Sequence, residues 1–161
     1  MKCAFLLSTI LLTMIPAGHA QTQKETTTHH ATGTFEVKID PQPADEKAGA
    51  PALARMLIDK QFHGDLEATS KGSMLTAGAG AKGSSGGYVA LEIVTGTLKG
   101  RTGTFILQHT GIMNRGAPSL IVALVPDSGT GQLIGLAGKM AITIVDGKHA
   151  YDLEYTLPDS Q

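Results

Sequence analysis

Two apolar-rich runs, GGYVALEIVTGTL (Gly86 to Leu98) and TGTFILQHTGIM (Thr102 to Met113), meet through Lys99-Gly100, and a second pair, Met140 to Val145 and Lys148 to Leu157, meets at Asp146-Gly147. These junctions constrain the chain more than any other feature. Asp-Gly suits a tight type I′ turn because both central residues tolerate positive φ, so the flanking runs are set to pair as antiparallel hairpins. Elsewhere the same pattern recurs. Phe35, Val37 and Ile39 alternate with Thr34, Glu36 and Lys38 in a strand that ends at Pro41, and Leu120 to Val125 reads as another strand. Between the two hairpin pairs, SGTGQLIGLAG (Ser128 to Gly138) sets four glycines around Leu133, Ile134 and Leu136, as in a barrel corner whose apolar residues plug the space beneath it. About eight strands in sequential hairpins predict an all-β fold, a small antiparallel β-barrel that buries its edges by closure.

Composition agrees with one such domain. The 161 residues are 42% hydrophobic and 17% charged, enough for a single core, and 20 glycines without a tryptophan fit short strands better than a helical bundle. Residues 1–20 read as a secretory signal peptide: Lys2 as the positive start, an apolar stretch from Ala4 to Ile15, and Gly18-His19-Ala20 before a cleavage point at Gln21. That apolar stretch is short of the ~20 residues needed to span a bilayer, so no stable membrane insertion of the mature chain is expected. The expected location is periplasmic or secreted. Cleavage would remove the sole cysteine, Cys3, and with it any disulfide or thiolate chemistry. It would also move the formal charge from −1 to −2 by removing Lys2, leaving no basic cluster to meet a row of phosphates. Nucleic acid is not an expected partner.

Residues 21–30, QTQKETTTHH, lack apolar periodicity and read as a flexible N-terminal arm. Adjacent His29 and His30 lack the further ligands a specific metal site requires, and no H-x-H or H-E-x-x-H spacing occurs. Neither metal nor cofactor is expected. The single barrel domain is placed at residues 31–158.

Two catalytic patterns occur out of context. Gly78, Gly80 and Gly83 match G-x-G-x-x-G, yet they lead into a strand where phosphate binding needs a helix N-terminus. Gly83-Ser84-Ser85-Gly86-Gly87 matches G-x-S-x-G, but a nucleophile elbow at Ser85 needs a strand, a sharp turn and a helix. Polar residues inside apolar strands carry more weight. Glu92 shares its phase with Tyr88, Ala90 and Val94, so it either faces a barrel lumen, where desolvation would perturb it, or faces solvent while Val89, Leu91 and Ile93 fill the core. Ordinary alternation in an antiparallel sheet favours the outward carboxylate. His109 shares a face with Phe105, Leu107 and Met113, and serves either as a hydrogen-bonded structural histidine or as an acid or base. Lys60 opposite Glu92 would make a buried ion pair, unless either residue is simply exposed. His149, Tyr151 and Tyr155 share another strand face, and His63 lies beside the Gly64-Asp65 turn.

The runs ARMLIDKQFHGDLEATSKGSML, GYVALEIVTGTLKGRTGTFILQHTGIMNRG, VPDSGTGQLIGLAGKMAI and GKHAYDLEYTLP together resemble the bacterial DUF3224 proteins over nearly all of the mature chain. Those proteins are similar to the allene oxide cyclase barrel-like fold group, so the resemblance implies that barrel. It also favours a strand over a helix for Ala52 to Phe62, whose apolar residues fit both periods. The family has no established activity, so no catalytic residue is implied. The functional expectation is a binding module for a small, partly apolar ligand, with Met56, Ile58, Phe62, Phe105, Leu107 and Met113 as apolar lining and Tyr88, Glu92 and His109 as polar anchors. A cofactor-free isomerase or cyclase using Glu92 and His109 is the alternative by fold analogy. A filled structural barrel, including a homo-oligomer of barrels, is the third.

Overall fold

The computed structural model describes residues 27–43, 53–78 and 83–158. They form eight strands: β1 (His29–Pro41), β2 (Ala54–Gly64), β3 (Leu66–Gly78), β4 (Gly86–Leu98), β5 (Arg101–Asn114), β6 (Ala117–Leu124), β7 (Ala137–Val145) and β8 (Lys148–Thr156). Each strand pairs antiparallel with the next, and β1 pairs with β8, so the sheet closes into a barrel in chain order. Closure removes both edges of the sheet. The expected barrel is therefore the observed one.

The ambiguous segment at Ala52 to Phe62 is a strand from Ala54 onward, because its period-2 face pairs on both sides, with β1 and with β3. Several boundaries differ from expectation, β7 for one starting at Ala137, and two of them have a local reason. β1 takes in His29 and His30, which pair opposite Tyr155 and Glu154, so the polar arm contributes the first rungs of the ladder. β6 starts at Ala117, three residues early, because Arg115 and Gly116 form a further two-residue turn with positive φ at both positions. Residues 1–20 and 21–26 lie outside the described residues.

The hairpin reading of Asp146-Gly147 holds, with φ of 50° and 75°. A Cβ at position 147 would meet nothing within 4 Å, so Gly147→Ala isolates the backbone strain of positive φ. Chemical denaturation should show a loss of about 1 kcal/mol. An unchanged midpoint would mean that the turn relaxes freely.

Inward residues divide the barrel into two halves. At the end of the β2–β3 and β4–β5 turns, Phe62, Leu66, Val94, Leu98, Phe105 and Leu153 are almost wholly buried. The corner between β6 and β7 closes that end. It carries a single 3₁₀ turn, Gly131–Leu133, and Leu133 and Leu136 are 0% and 1% exposed, so both leucines plug the base. Side chains pin the corner to β5: Thr130 Oγ1 accepts the Thr104 N–H at 3.0 Å, and Ser128 Oγ accepts the Ile106 N–H at 3.1 Å. At the opposite end, inward Met56, Met74, Tyr88 and Ile142 are only half-buried, and that mouth is open.

Candidate functional site

Four polar side chains meet inside the barrel where its filled half ends. Glu92 of β4 is 0% exposed, and Ser70 of β3, Lys60 of β2 and His109 of β5 are each buried with it. Register explains the meeting. Lys60 stands opposite Ser70, Gly72 opposite Glu92, and Ala90 opposite His109, so the four inward positions fall within neighbouring layers of adjacent strands. Lys60 Nζ donates to Glu92 Oε1 at 2.7 Å, His109 Nε2 donates to the same oxygen at 2.8 Å, and Ser70 Oγ donates to Oε2 at 2.7 Å. Lys60 Nζ also lies 4.9 Å from the Phe35 ring centroid and 5.7 Å from that of Phe62, a placement in which ring faces attract an ammonium.

The outward reading of Glu92 is thereby corrected. Val89, Leu91 and Ile93 are each more than half exposed, and the carboxylate faces inward. Alternation was preserved, but its polarity was inverted, because three donors on neighbouring strands offset the desolvation of the carboxylate. Of the two readings of Lys60 and Glu92, buried pair or exposed side chains, the structure shows the pair.

Burial alone would push the Glu92 carboxyl up; the His109 hydrogen bond and the charge and hydrogen bond of Lys60 outweigh it and bring the group down to about 2 from 4.5. A folded-state value below the unfolded one stabilises the fold above pH 4.5, and that contribution is lost as pH falls from 4.5 through about 2. A drop of roughly 3 kcal/mol in folding free energy from this group is expected over that window. Urea melts of wild type and Glu92→Gln between pH 6 and 2 check it, and equal acid sensitivity in the two would contradict it. An ionised carboxylate only accepts, so His109 must present Nε2–H to it. In a neutral ring, Nδ1 is then the basic nitrogen.

Above this cluster lies an open pocket of about 360 Å³ in the mouth, lined by the ends of β3, β4, β5 and β6, including Thr76, Tyr88, Gly111, Met113 and Leu120. Tyr88 stands between pocket and cluster. Its ring crosses Gly111 in the space that a Cβ there would need, so only glycine fits beneath it. Burial, and then the charge of Glu92, raise the Tyr88 phenol, which keeps its proton and remains a donor.

Of the residues singled out in the sequence, Tyr88 and Met113 line the pocket, while Glu92 and His109 sit in the cluster beneath. Phe105 and Leu107 are 1% and 0% exposed and belong to the hydrophobic core, as does Phe62. His149 packs on Phe35, and the Tyr151 hydroxyl accepts the Leu66 N–H at 2.9 Å, so neither joins the cluster. His63 lies outside near Glu36 and Glu67, and His30 pairs with Asp152. Ser85 Oγ accepts the Arg115 N–H at 3.0 Å and precedes a strand, the arrangement of a loop clasp and not of a nucleophile elbow. Ser70 was missed. Its signal was the phase of LEATSKGSML, which sets it on the face of Leu66 and Ala68.

With this geometry established, comparison places the chain among known proteins. The family described as "Protein of unknown function (DUF3224)" matches residues 31–155. The chain belongs to the DUF3224 family. A solved structure of a DUF3224 protein of unknown function from Shewanella oneidensis MR-1 is 45% identical, covering 82% of this chain and 99% of that one with a TM-score of 0.74. No curated protein matches the chain. DUF3224 membership agrees with the barrel and assigns no chemistry to its interior.

Proposed function

We propose that this DUF3224 protein binds a small, largely apolar molecule in the mouth of the barrel. The observation that carries the reading is a buried Glu92–Lys60–His109–Ser70 cluster beneath an open, mainly apolar pocket. A buried ion pair is often no more stabilising than apolar residues of the same volume, so its presence beneath an open pocket points to use. The pocket volume falls in the range of about 300–1,000 Å³ occupied by small-molecule sites. Its apolar walls would take the body of the ligand, and the Tyr88 hydroxyl would orient a carbonyl or hydroxyl end. The signal-peptide pattern of residues 1–20 supports an exported setting for this binding.

Native mass spectrometry of protein isolated from its own source tests the reading. A reproducible small-molecule adduct, lost when Gly111→Leu displaces the Tyr88 ring, is the expected result; repeatedly empty protein counts against it.

A second reading rests on the Glu92–His109 hydrogen bond. A carboxylate that orients one imidazole nitrogen leaves the other as a base, the arrangement needed for proton abstraction in a cofactor-free isomerisation. Turnover of a bound ligand that ceases in His109→Gln while binding persists would favour the enzyme.

A further inference from the structure

The outer surface of the barrel divides sharply by charge. Outward positions of β1, β2 and β8 carry Glu36, Lys38, Asp59 and Asp152 among others, whereas the outward positions of β4, β5 and β6 carry no charged residue at all. On that uncharged side Val89, Leu91, Ile93, Ile112 and Ile121 are each more than half exposed, and Leu75 of β3 continues the patch. The register makes it contiguous: Val89 stands opposite Leu75 on one side and Thr110 on the other, and Thr110 stands opposite Ile121.

We infer that this face is the contact between two copies of the chain. Three strands at ~4.8 Å spacing and ~3.3 Å per residue give roughly 14 Å by 35 Å, about 500 Å² in projection before side-chain relief is counted. That approaches the ~800 Å² per partner of a standard stable interface once side-chain relief is added, and lies in the upper part of the ~300–600 Å² range of the largest, often functional, patch on a monomer. The absence of charge selects the occupant. An unlike partner is normally specified by complementary charges, and this face has none to offer. A neutral, aliphatic surface is able to pair with itself, and a two-fold contact requires only that property. Ile112 belongs both to this face and to the rim of the pocket, so the contact runs up to the barrel mouth and dimerisation borders the ligand site.

Sedimentation equilibrium on protein expressed from the full-length reading frame, at roughly 50 µM, tests the inference. Wild type should run at twice the mass of one chain. Leu91→Glu and Ile121→Glu bring like charges together across a two-fold and should each raise the dissociation constant at least 100-fold, with an unchanged far-ultraviolet circular dichroism spectrum because both side chains are exposed. Lys38→Glu on the charged side should leave the dimer intact. A monomeric wild type, whatever other protein it binds, overturns the inference, as does a dimer that persists in both glutamate variants.

Discussion

Glu92→Ala should lower the folding free energy by about 3–5 kcal/mol, among the largest effects of any single substitution in the barrel. Among the described residues, the deletion removes the only group that meets Lys60, His109 and Ser70 together, and it leaves an ammonium that is 6% exposed without its carboxylate. Breaking one side of a buried pair costs far more than the pair contributes, because the remaining charge keeps its desolvation penalty. The same logic predicts the opposite sign for replacing the cluster as a whole. Lys60→Met, Glu92→Leu and His109→Phe combined should be close to wild type in stability or above it, since they exchange satisfied polar groups for apolar ones of similar volume. Guanidinium denaturation of the single and combined variants measures both. A combined variant that loses more than Glu92→Ala would show that the cluster is a structural brace.

Leu133→Ala should cost about 2–5 kcal/mol. Leu133 is fully buried at the base of the barrel, where its backbone is held by hydrogen bonds from Leu133 N–H to the Thr130 carbonyl and from Leu136 N–H to the Leu133 carbonyl. Those bonds and the clasp of Thr130 on β5 limit collapse around the lost methyl groups, so the cavity remains. Ile134→Ala, at a neighbouring position that is 68% exposed, should change stability by less than about 0.5 kcal/mol. Thermal melts of the pair separate a barrel plug from a merely apolar loop, and equal losses would refute the plug.

The corner and hairpins were legible because their signals are local. Asp146-Gly147 tolerates positive φ at both positions whatever surrounds it, and the spacing of Leu133 and Leu136 among glycines reads without knowledge of the rest of the fold. The direction in which β4 faces was not. YVALEIV alternates equally well with Glu92 in or out, and the choice depends on Lys60, Ser70 and His109, which lie 32, 22 and 17 residues away in sequence. The apolar set Val89, Leu91 and Ile93 argued for the core and instead lies on the outside. Lys60 on a face with Ile58 and Phe62 was the better clue, since a lysine buried among apolar residues needs a carboxylate partner. Gly111 gave no signal until the Tyr88 ring was seen lying across it.

Under the proposed binding role, the polar cluster serves a ligand and not the fold. Native mass spectrometry of the combined Lys60→Met, Glu92→Leu and His109→Phe variant beside wild type tests it most directly. The expected result is a folded variant that has lost the small molecule wild type retains. A variant that retains the same molecule at the same occupancy, or a wild type that is always empty, would contradict it.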